Sequence, residues 1–354
     1  MSLPRVSILL PCFNARPFLE ERINSILAQT FSDWEAIVLD SYSTDGSWEF
    51  FKSIADQDSR FRLHQVPREG PYAALNRGIK LATGEFLNIA TCDDSMRPDF
   101  LDTLLEAFAI CPEAGAAACD LLLINRDGNH LTKEDLVDYL PAESIKDLLA
   151  LDVVRSYPIR RNINYRPPPH DCLLHFSTKS VYFSLTQLLI RTSLARKTEP
   201  FDTTIGSIAD LGWLVRLTNL AGTVHVPKKL TMWRFHGDQL SVHRDETRLL
   251  SIKTIFERVL PEIRQRHSGL LTSNDCAALL LPSKAFLAGP FKKLWVWFEG
   301  GVRVVWMLSE RPGMTLRAIR RGPFPFRNLR RFLVSTIVQS LGLTPKKLSV
   351  NQES

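Results

Sequence analysis

Long apolar runs are missing from this chain. No stretch approaches the roughly 20 consecutive apolar residues needed to cross a bilayer. The segments that come nearest, 294–298 and 302–308, are interrupted or flanked by Glu299, Gly300, Gly301 and Arg303. Paired cysteine spacing is missing as well. The six cysteines (12, 92, 111, 119, 172 and 276) contain no Cys-x-x-Cys, so neither a zinc site nor a disulfide framework is expected. The opening residues reach Pro11 before an apolar signal core can form, and reduced thiols without a leader read as a cytoplasmic chain. Neither glycine-rich nucleotide signature occurs: no G-x-G-x-x-G turn and no phosphate loop ending in Lys-Ser/Thr.

What is present is ordinary in bulk and uneven in charge. The chain has 354 residues, 45% hydrophobic and 23% charged, enough for one large domain or one domain with an appendage. The net charge of +6 is concentrated near the end. Residues 291–350 hold 12 basic and 2 acidic side chains, a net of +10, whereas residues 1–290 hold 32 against 35, a net of −3. Glu353 supplies the last −1. A body of slightly negative charge argues against a nucleic-acid-binding protein.

Up to about residue 125, short apolar runs alternate with amphipathic stretches, the pattern of an α/β fold with a mostly parallel sheet. Strands are expected at Val6–Leu10 (ended by Pro11), Ala36–Leu39, Phe61–Val66, Phe86–Ala90 and Ala116–Ile124. Between them, helices are expected over Phe18–Gln29, Trp48–Ala55, Tyr72–Ala82 and Asp99–Ile110. Residues 125–180 are less regular. Beyond them, Val181–Ile190, Val224–Pro227 and Leu230–Phe235 read as strands and Leu211–Leu220 as a helix. From Thr247 the pattern is helical.

The polar residues that end these strands carry the chemistry. Pro11-Cys12-Phe13-Asn14 follows the first, Asp40-Ser41 the second and Asp93-Asp94 the fourth. Ends of parallel strands share one edge of a sheet, where ligands bind. Adjacent carboxylates repel unless something positive lies between them, and a hard divalent cation shared with a phosphate suits oxygen donors. Asp40 suits hydrogen-bond donors such as a base imide or ribose hydroxyls. Arg77, on a helix opened by small residues, is placed to reach a phosphate.

These segments have a familiar spacing. Val6-Ser7-Ile8-Leu9-Leu10-Pro11-Cys12-Phe13-Asn14, Ser25-Ile26-Leu27-Ala28-Gln29-Thr30-Phe31, Asp40 with Ser43-Thr44-Asp45-Gly46-Ser47, Asn76-Arg77-Gly78, Ala82-Thr83-Gly84-Glu85-Phe86 and Asp93-Asp94 resemble, in order and spacing, the donor-binding half of family 2 glycosyltransferases. The resemblance covers about residues 5–125. It implies the GT-A fold, a nucleotide-diphospho-sugar donor, and bound Mn²⁺ or Mg²⁺. By the same resemblance Pro11, Asp40 and Arg77 lie near the nucleotide, and Asp93 and Asp94 near ribose, diphosphate and metal. The chain departs from the common pattern at Ser41 and Thr91, where many members carry an acid.

In similar transferases an acid just before an aromatic-x-x-Arg helix is the base of an inverting displacement. Here that acid is Asp210, ahead of Trp213 and Arg216, with Ala209 where a Glu is usual. As bare sequence, Asp210 reads as a helix cap. An Arg-x-His segment, Arg234-Phe235-His236, is implied to return to the site and bring His236 to the metal. Gln187 and Arg234 are expected at the acceptor.

The implied function is a metal-dependent inverting transfer to a saccharide or lipid-linked saccharide hydroxyl, in surface polysaccharide or glycolipid synthesis. A catalytically inactive sugar-nucleotide-binding protein and a sugar nucleotidyltransferase are the alternatives. Two parts are expected: a GT-A domain over 1–245 (1–125 for the donor, 126–245 for acceptor and catalysis) and a basic helical extension over 246–354. Its Trp, Phe and Arg residues suit peripheral contact with the cytoplasmic face of a membrane.

Overall fold

The computed structural model describes residues 3–132, 135, 163–176, 181–236, 246–273, 275–277, 279–280, 337–338, 341–343 and 346–348. The chain begins with β1 (Val6–Cys12), α1 (Arg16–Leu27), β2 (Trp34–Asp40), α2 (Ser47–Ala55), β3 (Phe61–Gln65), α3 (Pro71–Leu81) and β4 (Phe86–Ile89). A short β5 (Ser95–Met96), α4 (Phe100–Ile110) and the long β6 (Ala116–Ile124) follow. Then come β7 (Asn164–Arg166), α5 (His170–His175), β8 (Leu188–Arg191), α6 (Thr192–Lys197), α7 (Ala209–Leu220), β9 (Thr223–Arg234), α8 (Glu246–Arg266) and β10 (Lys346–Lys347).

Among the described residues these strands form one sheet in the order β10-β7-β9-β6-β8-β4-β1-β2-β3, with β5 also paired to β9. Strands β3, β2, β1 and β4 run parallel, β8 runs antiparallel to both β4 and β6, and β6 and β9 are parallel to each other. The period-2 alternation of strand residues sorts the core into two layers. Leu9, Ile37, Leu39 and Ile89 pack with side chains of α3, α7 and α8 on one face. Ile8, Leu10, Ala36 and Val38 pack with α1 and α4 on the other. Helix α8 puts Ile255, Phe256, Val259 and Ile263 into the first of these layers, and β10 closes the far edge of the sheet against β7.

Three elements differ from the sequence expectation. Strand β1 continues through Pro11 because β4 pairs with it only as far as Leu9. The Pro11 carbonyl accepts from Cys92 Sγ at 3.3 Å on that side, so the missing proline N–H faces no ladder partner. Val181–Ile190 is not one strand: Ser184 caps a short 3-10 turn, Leu185–Gln187, before β8 begins. The two strands read at 224–227 and 230–235 are one, β9, and its irregular register against Cys119 and Asp120 absorbs Pro227 and Lys228.

The approach to β4 depends on a glycine. A Cβ at Gly84 would lie 2.7 Å from the Ser7 backbone nitrogen and 2.8 Å from the Val6 carbonyl carbon, neither of which is a flexible side chain. Gly84→Ala is therefore expected to cost about 1–3 kcal/mol of unfolding free energy, read from urea denaturation. A cost within about 0.5 kcal/mol, the usual surface value, would show that β1 yields there.

Candidate active site

The carboxyl ends of β1, β2 and β4 open into a cavity of about 750 Å³. Pro11, Phe13, Ser41, Asp93, Asp94, Asp210 and His236 are all in its wall. Segments from residues 11 to 236 thus meet at one place, the edge where a parallel sheet offers its strand ends.

The Asp93-Asp94 turn between β4 and β5 is held by the second half of the chain. Asp94 is 2% exposed, and its oxygens accept from Arg234 N at 3.0 Å, Ser184 Oγ at 2.6 Å and Thr186 Oγ1 at 3.2 Å. Arg234 Nε donates to the Asp93 carbonyl at 2.7 Å, and its Nη1 to the carbonyls of Asn125 and Arg126. Glu21 pairs with Arg234 Nη2 and accepts from Ser95 Oγ at 2.9 Å. Arg234 is itself 1% exposed. It braces the turn from behind and does not line the cavity, so its contacts are those of a positioning group and differ from the acceptor contact expected from sequence.

Asp93 is left facing the cavity. Its Oδ2 lies 3.1 Å from His236 Nε2, and the imidazole rests against the Phe18 ring at a centroid distance of 4.8 Å. The Arg-x-His segment thus does bring His236 beside the paired acids. Gln239, Leu240 and Ser241, which follow it, lie outside the described residues.

Burial and the charge of Asp93 push the Asp94 carboxyl up to about 6 from an ordinary 3.8. Behind the turn sits Arg22, wholly buried, with none of its guanidinium nitrogens hydrogen-bonded among the described residues. Burial pulls its pKa down, and the field of Asp94 opposes that. The guanidinium charge persists at any pH a protein meets. Arg22 therefore works as a fixed positive charge beneath the paired acids.

Between about pH 4 and pH 6 the folded chain keeps a proton on Asp94 that the unfolded chain has released. Stability from this group is then present below about pH 4 and is lost as pH rises through 6, by at most about 3 kcal/mol. Asp94→Asn is expected to flatten that part of the stability–pH curve, measured by denaturant titration from pH 4 to 7. An unchanged slope in the variant would assign it to another group.

Asp210 does not cap its helix. The N-cap of α7 is Ile208, and Asp210 stands within the first turn with Leu211 N donating to its Oδ1 at 2.7 Å. The turn is pinned from the first half of the chain: Tyr72 at the start of α3 donates to the Ser207 carbonyl at 3.2 Å and stacks on Phe201, which stacks on Trp213. Asn76 clasps the Phe201 backbone, bonding both its N–H and its C=O at 2.9 Å. That contact accounts for the Asn76-Arg77-Gly78 motif without any ligand.

Other expected site residues are placed elsewhere. Arg77 pairs with Glu69 on the exposed side of α3 and is not in the cavity wall. Asp40 is fully buried below it, with Oδ2 accepting from Ser43 N at 3.1 Å and Oδ1 without a hydrogen-bond partner among the described residues; its neighbour Ser41 is the one that lines the wall. Gln187 points inward: its amide donates to the Cys119 carbonyl at 2.8 Å and accepts from Phe183 N at 2.9 Å. It locks the 3-10 turn to β6, which the pattern of a strand glutamine could not show.

Known proteins share part of this sequence and its architecture. The sequence model described as Glycosyl transferase family 2 matches residues 7–164, a span that includes every strand end lining the cavity from β1, β2 and β4. Residues 7–164 belong to glycosyl transferase family 2. An uncharacterized glycosyltransferase of Haemophilus influenzae is 33% identical over 148 residues, 40% of this chain and 57% of that protein. The GalNAc(5)-diNAcBac-PP-undecaprenol beta-1,3-glucosyltransferase of Campylobacter jejuni is 34% identical over 134 residues, 37% of this chain and 42% of that protein. The chain thus spans about half the length of these two curated relatives. Among solved structures, S. aureus TarS 1-349 in complex with UDP-GlcNAc superposes with a TM-score of 0.57 at 14% identity, over 96% of this chain and 90% of that one. The chain therefore has the GT-A fold.

Several wall residues were not singled out from sequence. Phe13 is 39% exposed just beyond β1, with the Arg68 guanidinium 3.9 Å above its ring. An aromatic left in the loop after a buried strand was the available signal. Phe183, Ser184 and Trp233 also line the wall, and they come from segments whose local pattern was that of a plain strand.

Proposed function

We propose that this chain transfers a sugar from a nucleotide-diphosphate donor to a saccharide hydroxyl with inversion. In this reading Asp210 is the general base and Asp93 the carboxylate at the donor diphosphate. The observation that carries it is that Asp93, with His236 beside it, and Asp210 line one 750 Å³ cavity together with Phe13 and Ser41. A base on one side of a reacting carbon and a charge-stabilising group at the leaving diphosphate are what a single displacement needs. Phe13 with Arg68 offers a stacking surface for a base.

Mn²⁺ or Mg²⁺ fits this donor set. Asp93 supplies a hard oxygen and His236 an imidazole nitrogen, which favours Mn²⁺. Among the described residues no group of three His, Cys, Asp or Glu is placed to hold a metal, so diphosphate oxygens and water would complete the shell. When bound, the cation stabilises the charge left on the departing diphosphate. Asp94, with its oxygens already accepting three hydrogen bonds, is assigned to holding the turn.

The undecaprenol-linked substrate in the name of the Campylobacter jejuni relative and the UDP-GlcNAc bound to TarS make lipid-linked saccharide acceptors and uridine donors the first to test. No helix among the described residues is long and apolar enough to cross a membrane. Most of the basic tail, 291–336, lies outside the described residues, and we assign it contact with an anionic lipid surface on charge alone. The defining experiment is a thermal-shift screen of the full chain against UDP-, GDP- and dTDP-sugars with MnCl₂. Stabilisation by one nucleotide class, lost with EDTA, is expected. No stabilisation by any donor would overturn the reading.

A further inference from the structure

The cavity wall carries an aromatic pair that the donor reading does not use. Trp233, next to last in β9, and Phe183, just ahead of the 3-10 turn, stack with centroids 5.6 Å apart and planes at 15°. Phe235, 2% exposed, tilts against Trp233 at 4.5 Å. Phe183 and Trp233 are half-buried, both line the cavity, and neither belongs to either core layer. Two large aromatics in contact, spared from the core and turned to a cavity wall, are poorly explained by folding alone.

Their mounting is rigid. Ser184, beside Phe183, donates to Asp94, and the Arg234 N–H, next to Trp233, donates to the same carboxylate. The ring pair is thus fixed to the turn that presents Asp93. The sheet order then gives its direction: β8 and β9 lie on one side of β4, and β1 and β2 on the other. The ring pair therefore stands across the Asp93 turn from Phe13 and Ser41.

We infer that Phe183 and Trp233 form the acceptor subsite, and that the acceptor presents a sugar ring to it. The inference rests on the transferase reading above and names the acceptor's chemistry. An aromatic face carries negative potential and attracts the polarised C–H groups on the apolar face of a pyranose, whose edge hydroxyls remain free for polar neighbours. Ser207 and Asp210 share the same cavity wall as such neighbours. An acyl chain or a linear polyol phosphate has no flat C–H face to match the pair.

The test uses saturation-transfer NMR of the full chain with methyl glycosides of glucose, galactose, mannose, N-acetylglucosamine and N-acetylgalactosamine, alongside nucleotide-sugar affinity by calorimetry. At least one glycoside is expected to show transfer to its ring C–H protons. Trp233→Ala should weaken that glycoside about tenfold and Trp233→Phe by no more than about threefold, with nucleotide-sugar affinity unchanged in both. Phe183→Leu gives the same reading should Trp233→Ala fail to fold. Binding of no glycoside, equal binding by wild type and the Ala and Leu variants, or a parallel fall in nucleotide-sugar affinity would overturn the subsite. Glycoside binding lost in the variants, by a chain that binds no nucleotide sugar, would support the subsite and count against the transferase reading.

Discussion

Asp210→Asn is expected to slow sugar transfer about 10²- to 10⁴-fold while leaving nucleotide-sugar affinity unchanged, the range attributed to a positioned general base. The structure separates those two effects well. Asp210 stands on the first turn of α7, where Leu211 N donates to its Oδ1, a contact that the asparagine carbonyl reproduces. The helix start is held independently by Tyr72 on the Ser207 carbonyl and by the Tyr72–Phe201–Trp213 stack. Removing the charge therefore removes a proton acceptor without releasing the scaffold. Initial-rate kinetics beside calorimetric donor titration would check this. An unchanged rate would remove Asp210 from the chemistry, and a loss of donor affinity equal to the loss of rate would make it a binding group.

Asp93→Asn is expected to lower transfer by several kcal/mol of barrier, about 10²- to 10³-fold, and to raise the Mn²⁺ concentration required for half activity. The physical reason is that Asp93 sets its carboxylate beside an imidazole at the cavity, while Asp94, also in the wall, is 2% exposed and has its oxygens held by three donors. Asp93→Asn should leave the melting temperature within about 2 °C, since the Asp93 side chain, 29% exposed, makes one pair with His236 among the described residues. The pair of measurements distinguishes a ligand from a brace. A large fall in melting temperature with metal requirement unchanged would give Asp93 the structural role instead.

The two acids show what was legible in the chain and what was not. Asp93, Asp94, Asp40 and Pro11 are strand-end residues, and the alternation of buried strands with helices is enough to place such residues at one sheet edge. Division of labour within the Asp93-Asp94 pair was hidden, because Asp94's partners Ser184, Thr186 and Arg234 lie 90 to 140 positions away. Arg234 and Gln187 carried the right address and the wrong direction. Both belong to segments that return to the site, yet their side chains face backbone carbonyls behind it. A strand's side chains alternate in facing, and the irregular register of β9 and the 3-10 turn before β8 reset that alternation.

Arg77 was misdirected for a different reason. Its neighbours Asn76 and Gly78 face inward, Asn76 to Phe201 and Gly78 to Leu9 and Leu39, where a Cβ would come within 3.0 Å or less of Leu side chains. Helical periodicity then turns Arg77 toward Glu69 at the surface. Sequence spacing alone marks the three residues as a unit without saying which of them meets a ligand. The aromatic members of the wall, Phe13, Phe183 and Trp233, carry no charge signature. Their role emerges only from the cavity they share with Asp93 and Asp210.

The most direct measurement is ³¹P NMR of the full-length chain with a stabilising nucleotide sugar, MnCl₂ and a saccharide acceptor mixture, followed over time and quenched with EDTA. The account predicts growth of the two nucleoside-diphosphate resonances at the expense of the donor, all but lost in both Asp93→Asn and Asp210→Asn. An unchanged donor spectrum, inorganic pyrophosphate as the product, or turnover by both variants equal to that of the wild type would contradict it.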